Sequence, residues 1–167
     1  IIGHPVRENG LSLSESYHWL SNWIGTVPTE STAEQTVSLI GTGMCADQLT
    51  LEADRTLKNC DVIIGAGRML QMAEHYHKPT FCSYNYPAIT DYMLSHPEYQ
   101  HFAVLFSGDI GFYSGAASLR RCLEGQPFKI EAFSGISSPI HFLNTIGKTW
   151  SDVHLISCHG QTASVIS

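Results

Sequence analysis

The chain has 167 residues, which suffices for one domain with a substantial core but is short for two full domains. Its net charge of −6 argues against duplex nucleic-acid binding, and it holds neither a secretory signal nor an apolar run near the roughly 20 residues needed to cross a bilayer. The 5 cysteines form no C-x-x-C pair and the 9 histidines form no H-x-x-x-H pattern, so we expect a cytoplasmic protein with reduced thiols and no metal site.

Residues 1–36 differ in composition from the remainder of the chain, being rich in serine and threonine. The apolar residues between 17 and 24 are spaced as in one short amphipathic helix, which Ser14 could cap. Residues 26–36 have the polar, turn-rich composition of a linker. We therefore interpret residues 1–36 as an N-terminal appendage and linker that precede the main domain.

From Val37 onwards, short apolar runs alternate with stretches of helical periodicity. The apolar runs predict strands over 37–40, 62–64, 80–84, 102–106, 128–133 and 153–157. Helices are predicted over 47–59, 69–77, 89–95, 114–123 and 138–146. Repetition of strand, small-residue loop and helix indicates an α/β fold, a doubly wound parallel sheet flanked by helices. Such sheets bind ligands at the carboxyl ends of their strands.

The loop after the first strand, residues 41–46, fits the dinucleotide fingerprint G-x-G-x-x-A. The fingerprint also needs an acid near the end of the second strand to hold a ribose, and none follows that strand. Arg68 stands there instead and could bind a 2′-phosphate, which leaves an NADP-dependent oxidoreductase as one alternative. A tight strand-to-helix turn would equally explain Gly41 and Gly43.

Two later loops carry groups suited to a polar ligand with a flat ring. In residues 105–114 an acid, Asp109, and two glycines directly follow an apolar strand, and Phe112 can cover a ring. An acid in this position is also common as a turn residue or helix cap. Residues 133–139 add the hydroxyls of Ser137 and Ser138, of which the second could cap the next helix.

Four segments occur in a characteristic order: G-T-G at 41–43, S-G-D-I-G-F-Y at 107–113, G-I-S-S at 135–138 and S-C-H-G at 157–160. In this order they resemble the tetrapyrrole methylases over residues 37–160. Within that family the chain is most similar to the enzymes that methylate C5 of precorrin-7 or cobalt-precorrin-7 in cobalamin biosynthesis, the methylating part of precorrin-6Y C5,15-methyltransferase. The resemblance implies the family's N-terminal α/β domain, with residues 161–167 beginning a connection to a second domain.

The resemblance further implies S-adenosylmethionine as methyl donor and a small-molecule tetrapyrrole as acceptor. It places these residues at the cofactor: Gly108, Asp109, Phe112, Ser137 and Ser138. It places these nearer the substrate: Gly41, Gly43 and Met44. Methyl transfer from a sulfonium to an electron-rich carbon needs mainly alignment of donor and acceptor, so no residue is assigned as a general base.

Two features depart from the family pattern. The family continues its first loop as G-x-G-P-G-D, whereas Met44 and Cys45 stand at the Pro-Gly positions here and the first acid is Asp47. Family members also carry a further α/β domain after the His-Gly segment, and the cofactor lies between the two domains. We expect a homodimer or a partner domain to complete the cleft, the alternative being a non-catalytic fragment of a methylase. Candidates for a basic rim facing an acidic substrate are Arg68, Arg120, Arg121 and Lys148.

Overall fold

The computed structural model describes residues 35–112 and 114–153, and these form an α/β domain around a parallel sheet. The strands are β1 (Gln35–Gly41), β2 (Val62–Gly65), β3 (Thr80–Cys82), β4 (His101–Phe106) and β5 (Phe128–Phe133). They pair in the order β3-β2-β4-β1-β5, and every pairing is parallel. The predicted fold class is therefore confirmed, and β1 lies between β4 and β5.

Helices connect the strands along the described part of the chain. They are α1 (Leu51–Asn59), α2 (Gly67–Met72), α3 (Tyr86–Leu94), α4 (Ala116–Leu123) and α5 (Ser138–Thr145). Short 3-10 turns occupy Ala46–Gln48, Glu74–Tyr76 and Trp150–Asp152.

The three inner strands are buried on both faces, which explains their continuous apolar sequences. Alternate side chains point to opposite sides of the sheet. On one side Leu39 belongs to a cluster with Met93 of α3 and Leu119 of α4. On the other side Ile40 belongs to a cluster with Leu57 of α1. Burying each of these large side chains contributes about 1.5–3 kcal/mol relative to leaving it in water.

The prediction of the first helix over 47–59 is wrong at its amino-terminal end, since the helix begins four residues later. The chain makes a 3-10 turn over Ala46–Gln48, Leu49 is extended, and α1 begins only at Leu51. The hydroxyl oxygen of Thr50 accepts a hydrogen bond from the Ala53 N–H at 3.2 Å, which caps the helix at this later point. A local cap therefore overrides the helical spacing of the residues before it.

Other boundaries shift by smaller amounts. The predicted helix 69–77 divides into α2 and a 3-10 turn, and strand β1 starts two residues before the expected domain boundary. The side-chain amide of Gln35 donates to the carbonyls of His96 and Tyr99, which fixes the start of β1. The predicted helix near 17–24, the strand over 153–157 and the segment 157–160 lie outside the described residues, apart from residue 153.

One partly buried polar contact links the middle of β1 to the first residue of the adjacent strand β4. The hydroxyl of Ser38, which is fully buried, lies 2.7 Å from Nε2 of His101. Burial lowers the pKa of His101 below its usual value, and the nearby carboxylates of Glu131 and Asp61 counteract this only in part. The neutral imidazole is thus the form that the folded state favours.

This contact predicts an acid-sensitive contribution to stability. Because the pKa of His101 is lower in the folded than in the unfolded state, the unfolded state binds more protons just below the unfolded value of about 6.5. The contribution is complete above that pH and is lost as pH falls towards the folded pKa. In urea titrations at pH 7.5 and 5.5, the wild type should lose more stability on acidification than His101→Gln. Equal losses would contradict this assignment.

Candidate active site at the carboxyl edge of the sheet

Three loops meet at the carboxyl edge because β1 lies between β4 and β5. The Thr42 N–H donates to the carbonyl of Phe106 at 2.8 Å, which continues the pairing of β1 with β4. Beyond it, Gly43 and Gly108 exchange two backbone hydrogen bonds of 3.1 and 2.8 Å in an antiparallel bridge. The loops after β1 and β4 are therefore held together by main-chain contacts.

The loop after β5 completes this arrangement through two glycines without room for a side chain. A Cβ on Gly41 would lie 2.7 Å from both the Gly108 oxygen and the Gly135 nitrogen. A Cβ on Gly135 would lie 2.6 Å from the Gly41 oxygen and closer still to the Gly108 oxygen. Since real Cβ atoms do not approach backbone atoms so closely, glycine is required at both positions.

Asp109 ties the β4 and β5 loops together through its carboxylate. Its Oδ1 accepts the N–H of Gly111 at 2.8 Å, and its Oδ2 accepts the N–H of Gly135 at 3.0 Å. Sequence reasoning assigned this residue to the cofactor, and the structure adds that it braces the loop glycines. A carboxylate offers about four lone-pair sites, so acceptor capacity remains for a ligand.

The other residues predicted at the cofactor lie in the same two loops. Ser137 occupies the N-cap position of α5 but makes no side-chain cap, so the helix begins at Ser138 without one. The Ser137 hydroxyl oxygen is buried and has no hydrogen-bond partner among the described residues. Ser138 is exposed, and Phe112 is half-buried in the β4 loop. A buried hydroxyl without a partner is the kind of group that a polar ligand can satisfy.

The predicted substrate residues lie in the β1 loop, where sequence reasoning missed a supporting side chain. Gln48 accepts the N–H of Met44 through Oε1 at 2.9 Å, while its Nε2 lies 3.3 Å from Nδ1 of His141 on α5. The Met44 side chain is 55% exposed. Gly43 has a φ of +66° and lies against Gln48, so neither the backbone nor the space there suits a larger residue.

A second feature of the same edge is a cavity of about 360 Å³ at the ends of β2, β3 and β4. Its walls include Arg68 after β2, Tyr84 and Tyr86 after β3, and Ser107 after β4. Of these, the sequence had pointed to Arg68, as a phosphate ligand or a basic rim residue, and to Ser107, as the first residue of the S-G-D-I-G-F-Y segment. The loop after β3 has no glycine or acid motif, so the sequence did not indicate that this loop lines a cavity.

Among residues 35–112 and 114–153 no group of three or more potential metal ligands occurs. In the same residues no helix has the length and apolar character to span a membrane.

The fold and its glycine-rich carboxyl edge define an α/β ligand-binding domain. The sequence matches the family Tetrapyrrole (Corrin/Porphyrin) Methylases over residues 36–166. Because this match covers most of the chain, the protein belongs to that family, whose members use S-adenosylmethionine as methyl donor. No curated protein sequence matches the chain significantly.

Solved structures support the same fold. The cobalamin biosynthesis precorrin-6Y methylase of Archaeoglobus fulgidus is similar, with 22% identity, a TM-score of 0.61 and coverage of 75% of this chain and 66% of that chain. The methyltransferase CobJ has 22% identity, a TM-score of 0.60 and coverage of 68% and 52%. The uroporphyrin-III C-methyltransferase of Thermus thermophilus, crystallised with S-adenosylhomocysteine, has 19% identity and a TM-score of 0.54. The match covers 63% of this chain and 46% of that chain. The chain thus spans about half to two thirds of their length.

The glycine contacts predict a position-specific effect on stability. Gly135→Ala should lower the free energy of unfolding by about 2 kcal/mol, since the new methyl group must displace loop backbone. Gly67→Ala is the matched control, because its Cβ would meet only the Cys82 sulfur at an ordinary 3.8 Å. Urea denaturation of both variants measures the difference. If the two substitutions behave alike, the loop backbones are not in contact.

Proposed function

We propose that this chain forms the cofactor-binding domain of an S-adenosylmethionine-dependent methyltransferase that acts on a tetrapyrrole. The observation that carries the proposal is the bridge from Asp109 to Gly135, beside the unpartnered hydroxyl of Ser137, in a chain of this family. This bridge joins the two loops that the family resemblance assigns to the methyl donor.

The residues of these loops fit the donor's chemistry. Asp109, Ser137 and Ser138 offer a carboxylate and hydroxyls for its polar groups, and the Phe112 ring offers an apolar surface for its adenine. Gly108 has a φ of +69°, and its backbone pairs with that of Gly43, so its contribution is to hold the loop in place beside the donor groups. When bound, the donor supplies a methyl group on a positively charged sulfur.

The protein's contribution to catalysis in this proposal is alignment. The electron-rich carbon of the acceptor can attack without a nucleophile or a strong base from the enzyme. Correct orientation can supply at most about 7–11 kcal/mol of the barrier, provided that the site is rigid. The Gly43–Gly108 bridge and the carboxylate of Asp109 give the loops that rigidity. Gly41, Gly43 and Met44 would face the acceptor.

We further propose C5 of precorrin-7 or cobalt-precorrin-7 as the methylated position. The support is the order of the loop segments, above all S-G-D-I-G-F-Y at 107–113. The similar fold of a precorrin-6Y methylase agrees with it without deciding between corrin precursors. Incubation with precorrin-7 and the donor, followed by ¹³C NMR of the product, tests the assignment. Methylation of another position or of uroporphyrinogen would overturn the C5 assignment but preserve the class of reaction.

A partner domain or a second copy of the chain would complete the cleft. Three exposed apolar side chains of the β5 loop and α5 support this proposal, since Ile136, Phe142 and Ile146 are 41%, 60% and 50% exposed. Phe142 and Ile146 are four residues apart, which places them on one side of the chain, and exposed apolar groups on one side are typical of a surface that another element covers. Light scattering of the full chain tests for the dimer. A monomer that nevertheless methylates the acceptor would contradict the need for a partner.

The assignment of Asp109 predicts a large loss of donor binding on truncation. Asp109→Ala removes both loop hydrogen bonds and the carboxylate, so the affinity for S-adenosylhomocysteine should fall more than tenfold while the chain stays folded. Isothermal titration calorimetry measures the change, with circular dichroism to check folding. Asp91→Ala, an exposed acid on α3, is the matched control and should bind as the wild type does.

Two outcomes would contradict the proposal. Unchanged affinity in Asp109→Ala would remove this residue from the donor site. Binding of NADPH in place of both S-adenosylmethionine and S-adenosylhomocysteine would favour the oxidoreductase alternative instead.

A further inference from the structure

The cavity at the ends of β2, β3 and β4 has no assigned ligand. Its volume of about 360 Å³ falls at the lower end of the range of about 300–1,000 Å³ typical of small-molecule sites. Ser107 lines it and directly precedes Gly108, so the cavity adjoins the loop proposed for the methyl donor. A ligand in this cavity would lie next to the donor site without using the same residues.

The cavity is electrostatically unlike the rest of the chain. Arg68 carries the one formal charge among its described lining residues, although the whole chain has a net charge of −6. The structure records no ion pair or hydrogen bond from the Arg68 guanidinium to any described residue. An exposed guanidinium without an internal partner can form two parallel hydrogen bonds to a carboxylate or a phosphate.

The remaining lining of the cavity combines aromatic rings with polar groups. Tyr84 and Tyr86 contribute the rings, and the buried side chains of Ile89, Val104 and Phe106 also line the cavity. Aromatic and aliphatic walls with a few polar groups are the usual lining of sites for ring-shaped ligands.

The position of Tyr86 depends on a glycine across the cavity. A Cβ at Gly115, before α4, would collide with the Tyr86 hydroxyl, so the absence of a side chain there gives the phenol its place. The Tyr86 hydroxyl has no recorded partner in the part of the chain that the structure describes, which leaves it free to bond a ligand.

We propose that this cavity binds one edge of a flat conjugated ring and that Arg68 pairs with an acidic side arm of that ring. The inference rests on the proposed function, because a tetrapyrrole is a flat ring with carboxylate arms. The cavity's size suits one part of a macrocycle, so the remainder extends over the open edge. Arg68 is then a substrate-positioning residue, and it supplies a positive charge for an acidic substrate inside a cavity that has no other charged residue in its described lining.

Uroporphyrin III is the probe for the test, since it is a stable ring with eight carboxylates whose binding is visible in its Soret absorbance. Titration into the full chain should give an affinity that Arg68→Gln weakens about tenfold, equivalent to about 1.4 kcal/mol. Arg68→Lys keeps the charge but loses the paired hydrogen-bond geometry, so its affinity should lie between those of the wild type and Arg68→Gln. Arg55→Gln removes an exposed arginine of α1 that does not line the cavity, and it should bind as the wild type does.

A salt series gives a second readout that a merely structural role would not change. Raising the ionic strength should weaken binding less in Arg68→Gln than in the wild type, since the screened charge pair is already absent. Equal affinities of Arg68→Gln and wild type, or equal losses of affinity in Arg68→Gln and Arg55→Gln, would overturn the inference. A loss of NADPH affinity in Arg68→Gln that exceeds its loss of uroporphyrin affinity would also overturn the inference, because it would assign the guanidinium to a phosphate.

S-adenosylhomocysteine titration separates this test from that of the proposed function. If the inference is right, Arg68→Gln should bind S-adenosylhomocysteine with unchanged affinity, because the cavity and the donor loops use different residues. Failure of the wild type to bind S-adenosylhomocysteine would sink the methyltransferase proposal. Normal binding of it together with Arg68-independent porphyrin binding would sink this inference alone.

Discussion

The close approach of three loop backbones at the carboxyl edge of the sheet is the constraint on which the candidate site depends. Gly41 and Gly135 are in contact with each other and with the carbonyl of Gly108, at distances that no side chain would permit. Asp109 secures this approach by accepting the N–H of Gly135. These contacts form a rigid layer of main-chain atoms. The hydroxyls and the aromatic ring that we propose for the donor belong to the loops that this layer holds together.

The strand order explains why these loops meet. In the order β3-β2-β4-β1-β5, strand β1 lies between β4 and β5, so the loops that follow these three strands are neighbours at the carboxyl edge of the sheet. The loops proposed for the donor follow β4 and β5, and the Arg68 cavity lies on the β2 side of β4. Both features follow from the same topology, so the donor and the acceptor that we propose would meet at the boundary between them.

The sequence predicted the sheet well because the physical signal for it is local. Strands β2, β4 and β1 are buried on both faces, and their apolar runs end at glycines that mark the loops. The order of the loop segments identified the family before any contact was known. The assignments of Gly108, Asp109, Phe112, Ser137 and Ser138 to the cofactor, and of Gly41, Gly43 and Met44 to the substrate, remain predictions.

The errors and omissions arise from contacts between residues that are distant in sequence or from local caps. Thr50 delays the first helix, which helical periodicity alone could not show. Gln48 reaches His141 across 93 positions of sequence. The cavity combines loops after three different strands, and no single segment of sequence describes it. The packing role of Gly135 likewise appears only when β5 is placed beside β1.

The central claim is that the methyl donor binds against the loops that follow β4 and β5. Amide hydrogen exchange of the full chain, followed by mass spectrometry with and without S-adenosylhomocysteine, tests it most directly. We predict that the ligand slows exchange in residues 107–112 and 134–138 and leaves β3 unchanged. Slowed exchange confined to the loops after β2 and β3, or no change at either loop set, would contradict the account.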